Sequence, residues 1–379
     1  MRRICGYEKN IDNVYRANNL GLHCHCAENK EKLLVLLEMA QKENVGVLIV
    51  NNYKSLKVYT EVLPMLSEKE KKKKKKIKMV PAIEMPANFN FTNIEGQNYN
   101  IEVHILGYGV DIEKEKMLEE FCRQKYKTID QEQELQRLKK IGHEIGLVFD
   151  DDEVYIDKED DNRKFAGRAF MQALMKNIEA NFCKDGEEDD NKMPYELRTN
   201  WRAFQNRCVK SLNSPFYLDM GDLNPDVCEV IELIHEMGGV AYLAHPSAYF
   251  AKVGTKDDVD VALKNVEKFA NDFITMYSPK NNTIHIDGAE VYHPSYLGNM
   301  EIISEVDELV REHRIGSSGG TDIHVDKTLG KDETVSGDSL GGKVTKKKLR
   351  KYRLLRDKAI AITELRKVVI RKKRDVEER

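Results

Sequence analysis

The stretch Leu20-Gly21-Leu22-His23-Cys24-His25-Cys26 decides the fold. It follows the polar run Arg16-Ala17-Asn18-Asn19, and as a strand it turns alternate side chains to opposite faces, so His23 and His25 share one face and Cys24 and Cys26 the other. Two imidazoles on one face can serve one metal ion. A lone His-x-His can equally be structural, so its partners have to be found elsewhere in the chain. The same spacing recurs at Gly319-Gly320-Thr321-Asp322-Ile323-His324, where a carboxylate and an imidazole follow a glycine turn. Ligand pairs at opposite ends of a chain meet only if the fold closes on itself.

Between the two pairs runs a β/α rhythm. Lys30 to Asn44 has leucines at helical spacing, and Val45 to Val50 is an aliphatic run of buried-strand type. A second helix is expected over Ser55 to Met65. The lysine tract Lys71 to Lys76 follows, within a loop spanning about 67–78, and reads as a solvated loop or, alternatively, a phosphate-binding or targeting element. Met79 to Glu84 reads as a strand ending in a carboxylate, and Ile101 to Gly109 as a strand carrying His104.

From Asp111 the pattern turns helical and charged. Residues 112–221 read as an inserted, mainly helical domain whose acidic connectors are solvated loops. The rhythm returns over 222–342. Asn224-Pro225 is expected to cap and open a helix, and Val240 to Ala244 is a buried strand that delivers His245. Gly288 to Tyr292 is a further strand, and a basic tail occupies 343–379. His143, His235, His285 and His313 lie away from these motifs and read as structural or exposed.

A chain of 379 residues can bury a large core, and 61 basic against 64 acidic side chains leave a net charge of -3, which says little about partners. No apolar run is long enough to span a membrane, and no signal-type region follows Met1, so the cytoplasm is the expected setting. Seven cysteines without a Cys-x-x-Cys imply reduced thiols, with Cys24 and Cys26 as packing residues.

Each candidate ligand falls at or just past the end of an apolar strand: His23, His25, Glu84, His104, His245, Asp322 and His324. In a closed β/α barrel such ends converge on one face. With "LGLHCHC", "PAIEM", "EVHILGYGVD", "LIHEMGGVAYLAHPSAY", "DGAEVYHPSY" and "GSSGGTDIH", the chain resembles the polymerase and histidinol phosphatase (PHP) family of metal-dependent phosphoesterases. Within it, the chain is similar to a branch with a helical insertion that dephosphorylates nucleoside 3',5'-bisphosphates or trims RNA from its 5' end. The resemblance implies a distorted (β/α)7 barrel. In it His23, His25, Glu84 and Asp322 would form the catalytic centre around one ion, and Glu84 would bridge to a second ion held by His104 and His245. Such ligands suit Mn, Zn or Fe. Arg168, in the Gly167-Arg168 pair, and His293 would bind the substrate phosphate.

Besides Phe170, which stands where the family has a histidine after the Gly-Arg pair, the chain departs from the family at two places. Where the family continues the His-x-His with Ser-Asp-Gly, this chain reads Cys26-Ala27-Glu28-Asn29-Lys30, and Asn51-Asn52-Tyr53 stands where the family has Asp-His after the second strand; the resemblance implies that both missing groups would hold a third ion with His324. Glu28 or Glu31 could stand in for the first, but a tyrosine is a poor substitute for an imidazole. The expectation is therefore two divalent ions and hydrolysis of a nucleotide or RNA phosphoester. The alternatives are a catalytically degenerate protein of the same fold that binds metal or nucleic acid without turnover, and nucleic-acid contact through Lys71 to Lys76 and the tail from Lys346 to Arg374.

Overall fold

A computed structural model describes residues 19–26, 28–42, 45–68, 70, 77–160, 163–183, 192–193, 197, 204–209, 214–249, 259–292, 300–319 and 323–325. The lysine tract, Asp322, His293 and the basic tail lie outside them.

The strands are β1 (Asn19–Cys26), β2 (Val45–Tyr53), β3 (Lys78–Thr92), β4 (Asn98–Tyr108), β5 (Val240–Leu243), β6 (Gly288–Tyr292), β7 (Gly316–Gly319) and β8 (Ile323–Val325). They form one sheet in the order β7-β6-β5-β4-β3-β2-β1-β8. The helices are α1 (Lys30–Lys42), α2 (Glu115–Lys125), α3 (Gln131–Glu144), α4 (Ala166–Leu174), α5 (Val227–Glu236), α6 (Val259–Met276) and α7 (Met300–Glu312). The result is a mixed α/β fold with the β/α alternation expected at both ends of the chain.

The sheet is curled. In a flat sheet β1 and β6 would lie five strand spacings, or about 24 Å, apart. Yet the His23 ring on β1 meets the Glu290 carboxylate on β6 at 3.0 Å. The two ends of the sheet, β7 and β8, are separated in the chain by residues 320–322 alone, which also requires them to approach.

Three expectations are corrected. The strand carrying Glu84 does not end there: β3 continues to Thr92 and pairs antiparallel with β4, so Glu84 and His104 sit within a long hairpin rather than at strand ends. β4 also runs antiparallel to β5, while every other neighbouring pair is parallel. The far half of the hairpin is stabilised by apolar alternation, since Phe89 and Phe91 are buried against Phe269 of α6 and Phe89 also against Phe273.

The helix expected over Ser55 to Met65 is short: Val58–Val62 form a single wide turn closed by Leu63 N–H to Val58 O. Finally, Asp226 rather than Asn224 caps α5. Its carboxylate accepts from Cys228 N–H, while Glu229 reaches back to the Asp226 amide, a reciprocal pair that Asn224, two residues earlier, cannot make. Asn224 instead donates to Glu102 Oε2 and Met220 O.

Two separate apolar cores form. The larger joins the sheet to α1, α2, α5, α6 and α7 through residues such as Leu33, Leu118, Ile231, Phe269 and Val306. The smaller gathers Leu138, Phe170, Leu174, Phe204 and Phe216.

Candidate metal centre

β1 does deliver both imidazoles to one side, but not as a regular strand. Its pairing with β2 skips from Gly21↔Leu48 to Cys24↔Val50, and His23 takes φ +50°. Such a conformation costs a residue with a Cβ about 1–3 kcal/mol and persists only where its surroundings hold it. The irregularity turns His23 inward beside His25, with their Nε2 atoms 3.2 Å apart. Cys24 and Cys26 face the main core as packing residues, and the Cys24 thiol donates to Ile49 O. Burial, then the charge of Glu28, pushes the Cys26 thiol up to about 12.

Glu84 is the hub. Its Oε2 lies 3.0 Å from His25 Nε2 and 3.7 Å from His23 Nε2, while its Oε1 lies 2.6 Å from His104 Nδ1 and 3.4 Å from His245 Nε2. The carboxylate thus divides its two oxygens between two triads, His23–His25–Glu84 and Glu84–His104–His245, each with ligand atoms within 4.8 Å of one another. Tetrahedral donors on bonds of about 2.1 Å stand about 3.4 Å apart; the contacts here run from 2.6 Å at His104 to 3.7 Å at His23 around that value, so each set could hold an ion. Burial opposes a charge on Glu84, but the His104 and His25 rings and the hydrogen bonds of His104 and His23 outweigh it and hold the carboxyl well below its usual range.

His245 follows β5, and its neighbour's amide, Ala244 N–H, donates to His104 O. It has φ +27°. The His23 and His245 rings stack at 5.5 Å. The His104 amide donates to the Tyr249 hydroxyl at 2.6 Å.

Sequence reasoning missed two residues at this site, Glu290 and Glu102, and gave no contact to a third, Tyr53. Glu290 is fully buried; both its oxygens lie 3.0 Å from His23 Nδ1, and Oε2 accepts from the His245 amide at 2.8 Å. Burial disfavours a charged His23, yet the Glu290 carboxylate, with Glu84 behind it, raises this imidazole well above its ordinary pKa. Glu102 places Oε1 3.4 Å from His104 Nε2. Tyr53, at the position where the family resemblance implies an imidazole, turns its hydroxyl to the same nitrogen at 2.7 Å, and the residue as a whole is 42% exposed.

The remaining candidates are placed less fully. β8 pairs with β1 in parallel, setting the His324 backbone opposite His25. Asp322 and His293 lie outside the described residues. Arg168 lies on α4, with its guanidinium 5.6 Å from the Phe165 ring centre. Of the other histidines, His143 meets Asp151, His235 meets Asp287 at 2.8 Å, His285 meets Thr283 O and His313 meets Thr275.

No family model and no curated protein matches the chain. Among solved structures, it is similar to an amidohydrolase from Chromobacterium violaceum with bound sulfate and no metal, at 15% identity and a TM-score of 0.43, over 80% of this chain and 87% of that one. It is also similar to a protein from Bifidobacterium adolescentis named as a candidate metal-dependent phosphoesterase, at 17% identity and a TM-score of 0.42, over 90% and 96% of the two chains. No helix among the described residues is long and apolar enough to cross a membrane.

Proposed function

We propose that this chain is a metal-dependent phosphoesterase of PHP type, acting on a phosphorylated nucleotide or RNA with two divalent ions. The observation that carries the reading is the division of Glu84 between the two triads, since one carboxylate whose two oxygens each complete a separate set of imidazoles has the arrangement of a bridging ligand. His23 and His25 would hold one ion with Glu84 Oε2, and His104 and His245 the other with Oε1; Asp322 would join the first set, with His324 beside it. Nitrogen and oxygen donors of this kind suit Mn, Zn or Fe.

When bound, such a pair of ions polarises a phosphoryl oxygen and lowers the pKa of a water. The chain's own residues do the rest. Glu84 fixes the separation of the two sets, buried walls around His23 and Glu290 exclude bulk water, and Arg168 and His293 would neutralise the substrate phosphate. Residues 112–221 would form the inserted unit, a reading supported by the separate core around Phe170. The setting would be cytoplasmic, and the basic tail would contact nucleic acid.

A second reading, a metal-binding protein without turnover, is favoured by one observation: the Tyr53 phenol engages His104 where the family resemblance implies a further ligand. One experiment separates the two. Metal content is measured per chain, together with phosphate or mononucleotide release from a nucleoside 3',5'-bisphosphate and a short 5'-phosphorylated RNA, for wild type and Glu84→Gln. About two ions and release that the variant abolishes support the phosphoesterase. Bound metal without release from either substrate selects the second reading, and no bound metal overturns both.

A further inference from the structure

Two histidines of the candidate centre, one in each triad, have a positive φ: His23 at +50° and His245 at +27°. One carboxylate holds both. Glu290 engages the ring of His23 through Nδ1 and the backbone of His245 through its amide, at 3.0 and 2.8 Å. β6 explains how it gets there. Ala289 and Val291 are buried in the main core, so the residue between them points the other way, to the inside of the curled sheet.

We propose that Glu290 is a positioning residue that assembles the metal centre from both sides, an inference that rests on the metal site proposed above. By accepting from His23 Nδ1–H it fixes the tautomer in which Nε2, the atom facing His25 and Glu84, offers its lone pair. By accepting from the His245 amide it holds that residue in a backbone conformation that L side chains rarely adopt, and so aims its ring at Glu84 Oε1. The same group therefore sets the ligand geometry of both triads without belonging to either.

Glutamine tests this sharply, because it keeps the shape but replaces one acceptor oxygen with an NH2 that would face an N–H donor. Zn2+ affinity of the full chain is measured by calorimetry for wild type and Glu290→Gln, alongside the thermal midpoint of the metal-free proteins. In parallel, 15N NMR of the histidine rings is recorded on Zn2+-loaded wild type. The expected result is a 10- to 100-fold loss of Zn2+ affinity in the variant, with the wild-type His23 ring protonated at Nδ1 and metal-bound at Nε2. A variant that binds Zn2+ as wild type does, whether or not its midpoint falls, overturns the proposal. Should the variant not fold, the wild-type spectrum decides: a His23 ring metal-bound at Nδ1 overturns it. Wild type that binds no Zn2+ overturns the metal centre itself and this proposal with it, a failure recognised before any variant is compared.

Discussion

The Tyr53 hydroxyl and His104 Nε2 lie 2.7 Å apart, while the other nitrogen of the same ring lies 2.6 Å from Glu84 Oε1. The ring of His104 thus bridges the exposed rim of the site and its buried hub. With Nδ1 on the Glu84 side, Nε2 is held chiefly by Tyr53 at the end of β2, the Glu102 carboxylate standing farther off at 3.4 Å.

Tyr53→Phe removes the closer of the two partners and leaves Glu102 in place. A hydrogen bond of this kind contributes about 0.5–1.5 kcal/mol, which is roughly a two- to tenfold change in affinity. The expected outcome is a loss of that size for one of the two ions proposed above, the one that His104 and His245 would hold, in a calorimetric titration, with the other unchanged. Equal weakening of both ions, or of neither, would show that Tyr53 does not act through His104.

Tyr59→Phe should cost stability rather than metal binding. Opposite Val50 in the β2/β3 ladder stands Pro81, which has no N–H to give, and on the other side β1 is irregular between Gly21 and Cys24. The Tyr59 hydroxyl fills the gap: it accepts from Val50 N–H at 2.9 Å and lies 2.9 and 2.8 Å from the carbonyls of Val50 and Val80. Without it a buried amide is left unpaired, at about 1–3 kcal/mol. The measurement is a denaturant midpoint on the metal-free protein; a change under about 0.5 kcal/mol would remove the role given to this hydroxyl.

Removing metal should lower the melting temperature. Glu84 is buried among His23, His25, His104 and His245, and an ion that binds this cluster only in the folded state stabilises that state by mass action, by about 4 kcal/mol at a thousandfold excess over its Kd. A thermal scan with and without chelator, repeated on Glu84→Gln, should show a shift in wild type that the variant lacks. An equal response in both would place the bound metal elsewhere.

Much of this cluster could be read in the sequence because its imidazoles stand next to apolar runs, as His23, His25, His104 and His245 do. What could not be read has physical causes. The period-2 rule correctly put His23 and His25 on one face, yet the strand reaches that face through an irregular backbone at His23, which alternation alone does not reveal. The hairpin beyond Glu84 was hidden by Pro86 and the asparagines at 88 and 90, which resemble a strand end; the signal against that reading was the alternating Phe89 and Phe91. Glu290 drew no notice beside His293, although a lone carboxylate between Ala289 and Val291 in a buried strand must find a partner inside the fold.

Cysteine reactivity tests the packing on the outer side of the sheet, away from the candidate metal centre. Cys24, Cys26, Cys183 and Cys208 are buried, whereas Cys122 on α2 and Cys228 on α5 are partly exposed. Burial, with Glu119 adding to it against Lys54, pushes the Cys122 thiol up to about 11; burial followed by Asp226 does the same for Cys228. The thiolate is the nucleophile, so near pH 8 only about one such thiol in a thousand is in reactive form, against roughly a quarter for an unperturbed thiol. Alkylation followed by residue-resolved mass spectrometry should therefore find Cys122 and Cys228 reacting at least a hundredfold slower than the same residues in the denatured chain. A raised pKa means that the thiolate fraction still grows throughout this range, so the rate at both should increase about tenfold from pH 8 to pH 9 and continue upward. A rate that rises only about threefold from pH 8 to pH 9 would mean that these thiols ionise as free ones do, and that α2 and α5 do not pack on the core as described.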